Sequence, residues 1–281
     1  MTAKRIVSSE DNKKIVMEGL LSLTSICDQH NLRYYLAFGT LLGAARHKGF
    51  IPWDDDIDLM MPRKDYEKLR SLADEIKSDD WELLSYSNEP DFIMPFMKYC
   101  HRKTMVTPSR FSNGFIYGLS VDIFFLDTCR GKDEESVRKK VFDKKYALYK
   151  QEQRCFKVGV FGSGAKNAIK RVVKNTLFRL SSKKVRELRE QYARLDRMFE
   201  AESQKGGEYA VFVYNRYDTV WKIRDFAGDG DQFSTLTFEG REFTVPYDYD
   251  AVLTKTYGDY MTPPPKEKQI PVHTYVAYYK D

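Results

Sequence analysis

The chain is poor in cysteine: Cys27, Cys100, Cys129 and Cys155 stand singly among 281 residues, with no Cys-x-x-Cys pair. That spacing excludes a zinc ribbon and a disulfide framework and fits a reducing, cytoplasmic setting. No run of about 18 apolar residues occurs, which excludes a membrane-spanning helix. Met1–Asn12 is polar and charged, without the apolar core of a signal peptide. A net charge of +5 is too mild to argue for nucleic acid, which is not expected as a partner. What remains is a chain with 42% hydrophobic residues, enough to fill a sizeable core, so disorder is excluded as well. No internal repeat is visible.

Hydrophobic periodicity predicts a helix from Ser9 to about His30, with Val16, Leu20, Leu23 and Cys27 on one face. A short aromatic strand, Arg33 to Phe38, follows. Gly39-Thr40 is expected to turn the chain into a small helix, Leu41 to His47, ahead of a strand at Asp56 to Met60 and a helix at Lys64 to Ile76. Strands are predicted at Trp81 to Ser85, Phe92 to Cys100 and Leu119 to Leu126. Past Asp133 the composition becomes helical and basic, broken by Gly159 to Gly164. The last third predicts a strand at Tyr209 to Tyr214, a hairpin from Ser234 to Pro246 turning at Glu239-Gly240, and a helix from Tyr247 to Tyr257. The expected class is α+β, divided as a core at 1–131, a helical basic region at 132–205, and C-terminal strands, hairpin and helix at 206–281 packing back on the core.

The chemistry centres on Asp54-Asp55-Asp56-Ile57-Asp58. In a strand, Asp56 and Asp58 point to one face while Ile57 points to the core. Two adjacent carboxylates are hard ligands suited to Mg²⁺ or Mn²⁺, ions that keep waters and share phosphate oxygens of a substrate. The alternative is a solvated acidic turn. Gly39-Thr40, at a helix start, offers backbone N–H groups for a phosphate. Asp122, inside the apolar run Leu119-Ser120-Val121-Asp122-Ile123-Phe124-Phe125-Leu126, is costly to bury without a partner and supplies a third carboxylate. Asp54 and Asp55 are expected to shape the turn.

The run from Phe38-Gly39-Thr40 through Arg46-His47-Lys48-Gly49-Phe50-Ile51-Pro52-Trp53 to Asp58 resembles the LicD family, which includes fukutin and fukutin-related protein, within the nucleotidyltransferase superfamily. Pro95-Phe96-Met97-Lys98, Thr104, Val121-Asp122-Ile123-Phe124 and Tyr257-Gly258-Asp259-Tyr260-Met261 extend the likeness; the zinc loop of fukutin-related protein has no counterpart. The resemblance implies a nucleotidyltransferase-like core with a mixed sheet flanked by helices. It implies transfer of a phosphoalcohol such as phosphocholine from a CDP-linked donor to a sugar hydroxyl of a surface glycan or lipid-linked saccharide, with CMP leaving. Ions on Asp56, Asp58 and Asp122 would bridge the donor diphosphate, and Asp122 would orient or deprotonate the acceptor. Gly39, Thr40, Arg46 and Lys98 are the expected donor-binding residues, with His47, Lys48 and Arg102 as further cations and His273 as a group within reach. Trp53 is either part of an aromatic cage for a quaternary ammonium or a core residue. A rival reading transfers NMP from an NTP and releases pyrophosphate; another is a silent binding protein.

Between Arg154 and Arg189 stand eleven Lys or Arg and one acid, Glu187. Ile169, Val172, Val173, Leu177 and Leu180 share a helical face opposite Lys170, Arg171, Lys174 and Arg179, the pattern of a helix on an anionic membrane or of a core-packed helix with a basic face. On the membrane reading, this segment docks the protein at the inner leaflet of the plasma membrane. Co-sedimentation with anionic liposomes is then expected and is lost when Lys170, Arg171 and Lys174 are neutralised; unchanged binding would rule the idea out.

Overall fold

The structure, a computed structural model, describes residues 5–106, 115–155, 182–214, 219–270 and 275–280. Helix α1 spans Ser9–Gln29. Ser8 caps it, its hydroxyl accepting from the Asp11 N–H at 3.0 Å, and Glu10 and Asp11 complement the positive end of the helix dipole. Val16, Leu20, Leu23 and Cys27 are buried, as their spacing predicts.

A mixed sheet forms the centre, in the order β1 (Tyr35–Leu36), β2 (Ile57–Pro62), β6 (Ser120–Cys129), β4 (Met97–His101), β3 (Trp81–Leu84). Only β2 and β6 pair in parallel; the other neighbours are antiparallel. The far half of β6 pairs with β7 (Tyr209–Val211), which pairs with β8 (Val220–Lys222), so C-terminal residues extend the same sheet. A separate hairpin, β9 (Ser234–Phe238) with β10 (Arg241–Val245), turns at Glu239-Gly240, both at positive φ, the geometry that favours glycine there. Strand β5 (Thr104–Val106) pairs with β11 (Ala277–Tyr279). Helices α2 (Phe38–His47), α3 (Arg63–Ser71), α4 (Glu134–Cys155), α5 (Ser182–Ser203), α6 (Ile223–Ala227) and α7 (Tyr249–Tyr257) complete the described elements. The architecture is α+β.

On one sheet face α1 settles against Trp81 and Tyr99, whose rings stack at 5.2 Å, and the Ser22 hydroxyl meets that of Tyr99 at 3.0 Å. A Cβ on Gly19 would stand 2.5 Å from the Trp81 ring, so α1 comes this close because position 19 has no side chain.

Several boundaries differ from the sequence expectation for identifiable reasons. Helix α2 starts at Phe38, so Gly39 and Thr40 lie in its first turn and not in a preceding turn; Ala37 occupies the cap position without a side-chain bond. The strand expected from Phe92 begins only at Met97, because Pro95 has no N–H to give a ladder. The helix after Pro62 ends at Ser71, where the Leu72 and Ala73 N–H groups turn to carbonyls three residues back, on Leu69 and Arg70. The Gly159–Gly164 break, the apolar face from Ile169 to Leu180, and His273 lie outside the described residues.

Just past the end of β2, Arg63 locks that strand to β6. Its Nε and Nη2 donate to the two carboxylate oxygens of fully buried Asp127, at 2.8 and 2.7 Å, and Nη1 donates to Asp196 of α5 and to Glu67 at 3.1 Å. The guanidinium also lies 3.7 Å over the Phe125 ring. Removing one partner from such a buried network strands its charges. Arg63→Met is therefore expected to cost about 3–5 kcal/mol in urea unfolding, against at most about 0.5 kcal/mol for Arg138→Met in the exposed pair with Glu135. Equal losses would contradict the clamp.

Candidate active site

Because side chains alternate along a strand, Asp56 and Asp58 face the same way from β2 and its approach, and in-register pairing sets Asp58 opposite Asp122 on β6. The next strand continues the row, with Lys98 opposite Asp122. The start of α2 fixes Asp58 through its backbone: the Asp58 N–H donates to the Thr40 hydroxyl at 2.8 Å, and its carbonyl accepts from the Ala37 N–H at 2.9 Å. Thr40, expected as a donor-binding residue, is buried and ties helix to strand; it is not among the residues lining the cavity described below.

Asp54, Asp56, Asp58 and Asp122 line one cavity of about 590 Å³. Burial first, and then the repulsion of Asp56, Asp122 and Asp54, push the Asp58 carboxyl well above the usual carboxylate range, while Lys98 pulls it down. Gly39 lines the same cavity, and a Cβ there would stand 2.5 Å from Asp54 Oδ2. The glycine thus makes room for a carboxylate. Asp54 also shapes the turn, as expected, its N–H donating to the Ile51 carbonyl at 2.9 Å, but sequence reasoning missed its place on the cavity wall. Asn12 of α1 donates to the Asp55 carbonyl at 3.2 Å and steadies the acidic run from behind.

Lys98 is buried. Its ammonium is bonded to Asp122 Oδ1 and lies 3.3 Å from the Ser120 hydroxyl, which itself donates to Asp122 Oδ1 at 3.1 Å. Lys98, expected as a donor-binding residue, is not among the lining residues and stands beside Asp122. Arg46 does line the cavity, with Nη1 donating to the Tyr260 carbonyl at 2.6 Å; burial lowers its pKa from the ordinary value. His47 stands edge-on to Trp53 at 6.3 Å. Lys48 is exposed as the left-handed C-cap of α2, and Arg102 donates to the Ser78 carbonyl at 2.6 Å; neither lines the cavity.

Much of the rest of the wall is aromatic, with Leu42, Ile51, Thr262 and Pro264 between the rings. Phe38, Phe124 and Phe212 pack with centroids 5.0–6.3 Å apart, and Trp53, Tyr214 and Tyr257 join them around the opening. Trp53 is therefore a half-buried wall residue. Phe124 was legible, since it shares the face of Asp122 two residues on; Phe212 and Tyr214 carry no local signal, because long-range pairing of β7 with β6 brings them here. Asp259 and Tyr260 arrive from the segment after α7.

The donor set is all carboxylate oxygen, which fits a hard divalent cation. Among the described residues, no three carboxylate, imidazole or thiol groups converge closely enough to enclose such an ion by themselves. The arrangement suits an ion that completes its shell with water and substrate oxygens.

Residues 31–161, which include Asp54, Asp56, Asp58 and Asp122, match a protein-family model described as the LicD/FKTN/FKRP nucleotidyltransferase domain. The chain is 27% identical over 266 residues to the lipopolysaccharide cholinephosphotransferase LicD of Haemophilus influenzae, covering 90% of this chain and 91% of that one. Shorter likenesses reach uncharacterized proteins of Rickettsia prowazekii, 33% identical over 75 residues (24% of this chain, 28% of that one), and Rickettsia typhi, 31% over 74 residues (26% and 24%). The chain thus carries a stretch matched by the LicD/FKTN/FKRP nucleotidyltransferase domain around its acidic strands and is similar to one LicD relative along nearly its whole length.

Proposed function

We propose that the protein is a metal-dependent phosphotransferase that moves phosphocholine from a CDP-linked donor to a sugar hydroxyl of a cell-surface glycan or teichoic acid precursor, releasing CMP. The observation that carries this reading is one cavity lined both by carboxylates, Asp54, Asp56, Asp58 and Asp122 among them, and by aromatic rings. The cholinephosphotransferase relative supports the transferred group.

Aromatic faces attract a quaternary ammonium by about 0.5–2 kcal/mol per ring and offer nothing to the hydroxyls of a polyol. That favours choline over glycerol or ribitol as the alcohol. Asp56, Asp58 and Asp122 would hold Mg²⁺ or Mn²⁺, which when bound neutralises the diphosphate and the charge developing on the leaving oxygen. Arg46, whose Nη1 is fixed on the Tyr260 carbonyl, faces the same cavity and offsets phosphate charge. The acceptor oxygen attacks the choline-bearing phosphorus, the bond to the CMP oxygen breaks, and Asp122 orients the hydroxyl and takes its proton. The parallel β2–β6 pair carrying the carboxylates is the expected centre of a nucleotidyltransferase-like core, with residues 1–131 supplying the acids and 206–281 completing the aromatic wall.

Incubation with Mg²⁺, a sugar acceptor and CDP-choline, CDP-ethanolamine, CDP-glycerol, CDP-ribitol or NTPs is expected to release CMP, fastest from CDP-choline; pyrophosphate from an NTP without CMP would overturn the reading. Asp58→Asn is expected to abolish turnover while the circular dichroism spectrum stays unchanged, and retained activity would refute the metal assignment. Phe124→Leu, which keeps bulk but loses the ring face, is expected to raise KM for CDP-choline by about 2- to 30-fold and to leave that for CDP-glycerol nearly unchanged.

A further inference from the structure

A row of like charges across a sheet is unfavourable, yet Asp58 and Asp122 are paired in register and share a wall with Asp54 and Asp56. The third strand of the row places a cation there from the protein itself. Lys98 is buried, bonded to Asp122 Oδ1 and close to the Ser120 hydroxyl. Its ammonium is kept to that side by the rings of Tyr117 and Phe96, whose centroids lie 5.2 and 5.5 Å away. Lys98 stands behind Asp122 relative to the cavity-lining carboxylates. Asp122 is held toward β4 by the lysine, with Ser120 of its own strand donating to the same oxygen.

We propose that Lys98 is a resident counter-cation that holds Asp122 back and weakens the site for a divalent ion, so that the ion binds weakly alone and more tightly when the donor diphosphate brings further oxygen ligands. The physical basis is additive charge: a fixed ammonium beside one carboxylate lowers the attraction that the whole wall exerts on a second cation. An ion that prefers water and phosphate oxygens is then held better with substrate than without it. Lys98 acts through Asp122 and is a positioning residue. The inference rests on Asp56, Asp58 and Asp122 being cation ligands, and the test separates the two.

Mn²⁺ alone is titrated into the full chain without donor, with the free ion followed by electron paramagnetic resonance and folding checked by circular dichroism. Lys98→Gln keeps an N–H donor for Asp122 and removes only the charge; it is expected to bind Mn²⁺ about tenfold tighter or more, and Lys98→Met likewise, while Lys98→Arg stays within about threefold of the parent chain. Asp58→Asn is expected to lose binding. If Asp58→Asn loses binding while Lys98→Gln is unchanged or weaker, the counter-cation is refuted and the ligands stand. If Asp58→Asn binds as the parent does, the ligand assignment itself fails. Should Lys98→Met not fold, Lys98→Gln decides alone.

Discussion

The candidate site depends on the parallel register of β2 against β6. A strand side chain changes face with every residue, so a slip of one position would carry Asp58 into the core and Ile57 into the cavity. Six consecutive pairs, from Ile57 with Val121 to Pro62 with Leu126, hold the register, and Ile57, Leu59, Met61, Val121, Ile123 and Phe125 are buried on the opposite face. Arg63 then closes the far end by gripping Asp127 in a two-pronged bond, and Thr40 closes the near end by accepting the Asp58 N–H. The carboxylates meet because everything around them prevents sliding.

Gathering acids in this way opposes folding, and the structure offsets the cost in two places. On the cavity side Lys98 supplies an internal positive charge next to Asp122. Beyond the strand ends, the buried Arg63, Asp127 and Asp196 network binds β6 and α5 together, with Arg70 and Tyr86 also reaching Asp196. Buried ion pairs give little net stability for their desolvation cost, but breaking one is expensive, so they define one arrangement and penalise the others. Asp58 keeps a residue of the unfavourable charge, visible as a carboxyl pushed toward its neutral form. A cation completing the wall would relieve that repulsion.

Much of this was legible in local patterns. The 3.6-residue period gave α1 within one residue at its C-terminus, and Glu239-Gly240 gave the hairpin turn, because those features depend on neighbours in the chain. Asp122 was legible as a carboxylate out of place in an apolar strand. Less legible were helix starts and strand ends: Phe38 enters α2 at positive φ, which no propensity anticipates, and Pro95 shortens β4. Lys98 and Thr40 were legible as motif residues, but their burial is a property of packing.

The sequence by itself determined the candidate pattern: an Asp-x-Asp at the start of a strand, a lone Asp in a second strand, a glycine at a helix start, and the family that they resemble. Those follow from residue type and spacing along the chain. Only the tertiary structure decided what surrounds them. Asp54 reaches the wall because Gly39, fifteen residues earlier, has no side chain; Phe212 and Tyr214 face the acids because β7 pairs with β6 across more than eighty residues; and Lys98 turns to Asp122 because two strands lie in register. Such proximities come from sheet pairing and close packing, which bring together groups that local sequence leaves far apart.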